Sequence, residues 1–161
     1  MNKLKILLGT GFYSGFIPKA PGTFGSLVSL ILIYPILQAQ NLYLIVVFMV
    51  VSSLITLWVS PYFEQEFGKD PGMLVMDEWA GQSLVFLSIG ITGVLKTDLI
   101  ILLTGFLLFR FFDILKPLGI NNIQKNKGGI GILADDLLAG LYALISLKTL
   151  IFIWPKIFGI V

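Results

Sequence analysis

Long apolar runs alternate with short polar breaks along this chain, and the length of each run sets the first prediction. A hydrocarbon layer about 30 Å thick takes about 20 helical residues, with about 17–25 the usual range. Five runs read as membrane-embedded helices: Gly25 to Gln38, interrupted by Pro35; Asn41 to Ser60, without a charge; Trp79 to Leu95; Asp98 to Leu115; and Asp135 to Trp154, with Lys148 inside it. Ala39-Gln40 and Lys96-Thr97 leave room only for tight turns, so the first two runs and the next two form hairpins. Pro61 to Met76 and Lys116 to Ala134 are longer and polar, broken by Gly and Pro. The expectation is an all-α, polytopic membrane bundle of about five helices, forming one domain over residues 1–161.

This connectivity brings residues 1–24, 61–78 and 113–136 out on one side. That side collects Lys3, Lys5, Lys19, Lys69, Arg110, Lys116, Lys125 and Lys127, against Lys96 and Lys156 opposite. The positive-inside rule makes the basic side cytoplasmic. The basic start, followed only by Ile6-Leu7-Leu8 before Gly9, is too short for a signal-peptide core and is read as no cleaved targeting segment.

Composition supports a bilayer. The 161 residues are 57% hydrophobic and 12% charged, with mean hydropathy +0.95, whereas soluble domains carry roughly 25% charged residues. A net charge of +2 is too weak for a nucleic-acid surface. The pattern leaves room for a homo-oligomer.

The acids change the picture more. Of nine, five fall in three clusters at or near run ends: Asp77-Glu78, Asp113 and Asp135-Asp136. A carboxylate in hydrocarbon costs about 2.5–3.5 kcal/mol, so each needs a partner, a metal ion or water. The hairpins carry all five to the basic side, which predicts one polar site at the cytoplasmic helix ends. The chain has no Cys and no His. Thiolate nucleophiles, imidazole ligands and the Ser-His-Asp triad are thereby excluded. Carboxylates alone suit hard cations, chiefly Mg²⁺ or Mn²⁺.

Each cluster has a plainer account as well. Asp77-Glu78 can simply favour the positive end of a helix, while Gly81 admits a neighbouring helix or an ion. In Arg110-Phe-Phe-Asp113-Ile-Leu-Lys116-Pro117, Asp113 neighbours both cations at helical spacing. An Arg110–Asp113 ion pair with a snorkelling Lys116 competes there with phosphate contact beside a metal ligand. Gly128-Gly-Ile-Gly reads as a flexible loop leading to Asp135-Asp136 at a helix start, where the two acids reach a shared cation or cap the helix. Thr23 and Ser26, in Pro21-Gly-Thr-Phe-Gly-Ser26, cap a helix or bind phosphate at its positive end. Gly11-x-x-x-Gly15 is a short match to a helix-packing motif. Phe12-Tyr13, Phe106 and Phe109 read as lipid-facing or core residues.

Taken together, Pro21-Gly-Thr-Phe-Gly-Ser26, Asp77-Glu-x-x-Gly81, Arg110-Phe-Phe-Asp113-x-x-Lys116-Pro117 and Gly128-Gly-x-Gly-x-x-x-Asp135-Asp136-x-x-Ala-Gly140 resemble the phosphatidylglycerophosphatase A family in order and spacing over residues 9–140. The resemblance implies a bacterial inner-membrane enzyme that removes the terminal phosphate of phosphatidylglycerophosphate with Mg²⁺. On that expectation Asp77, Glu78, Asp113, Asp135 and Asp136 supply the metal ligands, with Glu78, Asp113, Asp136 and Arg110 in the catalytic set. Thr23, Ser26, Arg110 and Lys116 hold the phosphomonoester. Direct attack by water and a carboxylate-phosphate intermediate both stay open, as does the choice of base among the acids.

Three rivals are weighed against this reading. A carboxylate-lined cation transporter or channel would want its acids near the midplane instead of on one side. A CDP-alcohol phosphotransferase would carry Asp-x-x-Asp-Gly-x-x-Ala-Arg, which is absent. A structural scaffold leaves the clustered acids unexplained.

Overall fold

A computed structural model describes residues 2–117, 120 and 128–158. Among them are six α-helices, here α1 (Asn2–Gly9), α2 (Pro21–Gln38), α3 (Leu42–Phe67), α4 (Met76–Val85), α5 (Leu95–Leu115) and α6 (Gly129–Ile153), with one 3₁₀ turn at Ser14–Phe16. No strand occurs among the described residues. Lys125 and Lys127, counted on the basic side, lie outside them, as does most of the α5–α6 connection.

Three helices, α2, α3 and α6, are long and apolar enough to cross a membrane. The α2–α3 hairpin turns at Ala39-Gln40 as expected, and Asn41 caps α3 by accepting the Tyr43 N–H. The second run does not stop at Ser60: α3 continues through Pro61 to Phe67. A proline removes only one helical hydrogen bond, and Val59 and Phe63, both fully buried, hold the extension beneath α1.

The third run is corrected most. Its helix, α4, starts at Met76 and has only 10 residues, giving it a length of about 15 Å. Beyond Val85 the chain runs through turns to Gly93, which has a φ of 78°. This irregular stretch is fastened by Asp98, which is fully buried. Asp98 accepts from the Thr92 N–H at 2.7 Å, the Thr92 hydroxyl at 2.9 Å and the Tyr34 hydroxyl at 3.4 Å. Non-helical backbone survives at membrane depth only where such partners satisfy it. Lys96-Thr97 is accordingly no hairpin turn but part of the first turn of α5.

The last helix also starts early, at Gly129, so Asp135 and Asp136 sit in its second turn and cap nothing. The run from Gly129 is helix and not a loop, and Gly129 lies directly against Ser60 of α3, where a side chain would collide. Gly11 and Gly15 fall in a turn and the 3₁₀ segment, so they form no helix-packing pair.

Short α4 is the centre of the bundle, with α2, α3, α5 and α6 all packed on it. Two apolar cores flank it, one around Phe86, Phe109 and Leu147 and the other around Val59, Phe63 and Trp79. At the α4–α6 crossing Gly81 faces Gly140, and a Cβ on Gly81 would lie 2.6 Å from the Asp136 carbonyl oxygen. The two backbones therefore touch where both carry acids. Phe106 and Phe109 are core residues, while Phe12 and Tyr13 are exposed.

Candidate active site

The acids meet at one end of α4. Asp77 and Glu78 lie in its first turn, which has no side-chain cap. Asp113 comes from the last turns of α5, and Asp135 and Asp136 from α6. A cavity of about 130 Å³ is lined by Asp77, Glu78, Asp113, Lys116, Asp135 and Asp136, together with Asp70, Gly72, Leu74 and Ile132. Asp70 was not singled out from the sequence. Its only signal there is its position in the polar Lys69-Asp70-Pro71-Gly72 turn on the same side.

Two cations bind these acids together. Arg110 Nη1 lies 2.7 Å from Asp113 Oδ2 and 3.3 Å from Glu78 Oε1. No N–H of Nη1 is aligned on either oxygen, and Nε is buried without a partner. The contacts are thus ionic, and the guanidinium keeps N–H groups to offer. Lys116 pairs with Asp135. The Ser26 hydroxyl, fully buried, donates to Glu78 Oε2 at 3.3 Å. Gly22, one turn earlier on α2, lies against the Glu78 carboxylate, where any side chain would displace it. Ser26 therefore belongs to the site as a partner of Glu78 and not as a helix cap, since α2 starts at Pro21. Thr23 sits half-buried in the first turn of α2 and does not line the cavity.

Among the described residues six carboxyls line the cavity, with Lys116 beside them and Arg110 paired to two of them, so negative charge is in excess. Burial, reinforced by Asp135 and Asp113, pushes Asp77 up to about 8, although its hydrogen bond with Asp136 acts the other way. Burial and the neighbouring Asp77 raise Glu78 well above the usual carboxylate range, with Arg110 opposing. For Lys116, burial acts downward, but Asp135 and the other acids outweigh it and the ammonium is held above its usual value.

The donors are all oxygen, which suits a hard cation in kind, and Asp77 Oδ1 is buried with no partner. Among the described residues no three acids converge closely enough to hold an ion as they stand. Arg110 pairs with Glu78 and Asp113, and Lys116 with Asp135. The donor set fits a divalent cation; the arrangement in this structure is the ion-paired one.

Fold and site define the protein's class: a helical, membrane-associated protein with a carboxylate-rich polar pocket at one end of its bundle. A model of the family described as Phosphatidylglycerophosphatase A matches residues 7–151. The chain belongs to that family, whose members are phosphatases. Among relatives, the Haemophilus influenzae protein named Phosphatidylglycerophosphatase A is 38% identical, covering 86% of this chain and 83% of its own. The Escherichia coli protein of the same name is 33% identical, over 92% and 84%. A Bacteroides thetaiotaomicron protein, provisionally named phosphatidylinositol-3-phosphatase, is 37% identical over 88% and 90%. No solved structure matches.

Proposed function

We propose that this protein hydrolyses the terminal phosphomonoester of phosphatidylglycerophosphate, releasing phosphatidylglycerol and inorganic phosphate. The observation that carries the reading is the acid-lined cavity at one end of the bundle, formed by Asp77, Glu78, Asp113, Asp135 and Asp136 with Lys116, and the Arg110 guanidinium paired to its Glu78 and Asp113 walls. Family membership and two relatives bearing the enzyme's name support it.

Mg²⁺ is the proposed cofactor. Asp77 and Asp136, which pair with no cation among the described residues, would hold it first. Asp113 and Asp135 would join them as Arg110 and Lys116 turn to the substrate, while Glu78 stays with Ser26. When bound, the ion supplies positive charge against the phosphate oxygens and makes attacking water more acidic. The chain's own residues do the rest. Arg110 offers its unpartnered N–H groups to the phosphoryl oxygens, where charge spreads in the transition state. Lys116 places a second cation beside them, and Ser26 keeps Glu78 in position. A buried carboxyl takes the proton from water.

The protein is proposed to cross the bacterial inner membrane several times, with this site on the cytoplasmic face. Acyl chains then stay in the bilayer while the headgroup enters the cavity. Nothing in the comparisons favours the transporter alternative. The Bacteroides relative motivates a second reading, in which the same phosphomonoester chemistry acts on a phosphoinositide.

Phosphate release by purified protein in mixed micelles decides between them. Phosphatidylglycerophosphate and phosphatidylinositol 3-phosphate are compared, each with Mg²⁺ and with EDTA. Release from the first only, abolished by EDTA, is the expected result. No release from either would overturn the phosphatase reading, and full activity in EDTA would remove the metal.

A further inference from the structure

Gln82 is fully buried, and neither its amide oxygen nor its amide nitrogen has a hydrogen-bond partner. It lies on α4 four residues after Glu78, so one helical turn separates the two side chains on a shared face. Among the described residues, every buried side-chain atom without a hydrogen-bond partner belongs to Asp77, Trp79 or Gln82 on α4, or to Arg110 beside it. An idle amide in the interior is a standing cost that an apolar side chain of the same shape would avoid. Buried polar groups of this kind in a native protein call for a role.

The role follows from what Arg110 must do. It stands between Glu78 and Asp113, and binding a phosphate draws it from Glu78. A buried carboxylate that loses its counter-charge is strongly disfavoured. The Ser26 hydroxyl already donates to Glu78, and the Ser29 hydroxyl donates to the Ser26 carbonyl at 2.7 Å. The unused N–H groups of Gln82 are the remaining donors on that face of α4. Glutamine and an acid at this spacing form a known helical hydrogen-bonded pair.

We propose that Gln82 is a positioning residue that takes over Glu78 by hydrogen bonding when Arg110 turns to the substrate phosphate. The inference rests on the proposed phosphatase reading and assigns Gln82 no contact with substrate.

The test compares wild type, Gln82→Met, Glu78→Gln and the double variant, using inorganic phosphate as the probe of the Arg110 site. Phosphate binding to purified protein is measured by calorimetry, kcat/KM by phosphate release, and folding by thermal unfolding. Expected for Gln82→Met is a Tm equal to or above wild type, with phosphate affinity and kcat/KM each reduced about tenfold, the scale of one hydrogen bond to a charged group. In the Glu78→Gln background, where no charge needs the amide, the same change should leave phosphate binding unaltered. Gln82→Leu serves if the methionine variant folds poorly. A lowered Tm with unchanged phosphate affinity of the folded protein would make Gln82 structural and overturn the proposal. So would equal loss of affinity in both backgrounds. Wild type that binds phosphate but hydrolyses neither lipid would instead remove the phosphatase reading.

Discussion

Arg110 of α5 and Glu78 of α4 form an ion pair, with Nη1 3.3 Å from Oε1, and this contact ties two helices that the chain separates by an irregular connection. The same nitrogen reaches Asp113 within its own helix at 2.7 Å. One guanidinium therefore organises acids from two elements while leaving Nε unused. A buried pair of this kind is costly to break from one side.

Arg110→Lys keeps the charge but loses the planar fork that spans both acids. The expected outcome is a fall in kcat/KM for phosphate release of roughly 10–150-fold, the scale of a lost hydrogen bond to a charged group. A variant retaining wild-type kcat/KM would remove Arg110 from phosphate recognition.

Asp136→Asn should separate metal binding from folding. Asp136 is buried beside Gly81 at the α4–α6 crossing and pairs with no cation among the described residues. In wild type, Mg²⁺ is expected to raise Tm by mass action on the folded state. In the variant that shift should disappear while Tm in EDTA stays near wild type. Scanning fluorimetry with and without Mg²⁺ reads both, and an unchanged shift would exclude Asp136 as a ligand.

Gly81→Ala places a methyl group 2.6 Å from the Asp136 carbonyl oxygen and 2.7 Å from the Phe109 ring. Forcing extra volume into such packing costs about 1–3 kcal/mol. Because Asp77 and Asp136 ride on the two helices that must part, activity should fall alongside stability. Denaturant unfolding and phosphate release check the two arms, and an unaffected midpoint would contradict the close approach.

Metal-free protein should lose stability as pH rises. Asp77 and Glu78 are raised above their usual values, so the folded state holds protons that the unfolded chain has released. Stability from this source is full below about pH 4, the ordinary carboxyl range. It declines as pH climbs through the window up to about 8 set by Asp77. The expected Tm in EDTA falls between pH 5 and 8, and Asp77→Asn flattens the slope. A Tm rising over that interval would refute the assignment.

Much of this was legible in residue order. The all-α class, the α2–α3 hairpin and the gathering of Asp77, Glu78, Asp113, Asp135 and Asp136 follow from run lengths and the side on which each run ends. The Arg110–Asp113 pair is equally local, set by three-residue spacing on one helix. The third run was misread because apolar composition does not reveal where a helix stops. Val85 to Gly93 is apolar yet turns, and Asp98 of α5 accepts the Thr92 N–H within it. The glycine-rich run before Asp135 was misread for the opposite reason. Glycine favours loops in isolation, but Gly129 is helical here and is small because Ser60 of α3 leaves space for nothing larger.

Sequence alone determined the chemistry available: five acids at apolar run ends, two cations among them, and no histidine or cysteine to share the work. Those properties depend on composition and local spacing, which no packing alters. Tertiary structure decided the partners. It set Glu78 against Arg110 and Ser26, paired Lys116 with Asp135, added Asp70 to the cavity, and left the Gln82 side-chain amide without a partner. Such pairings depend on how helices cross, and here the crossing is governed by glycines at 22, 81 and 140 that let backbones and carboxylates approach where side chains would hold them apart.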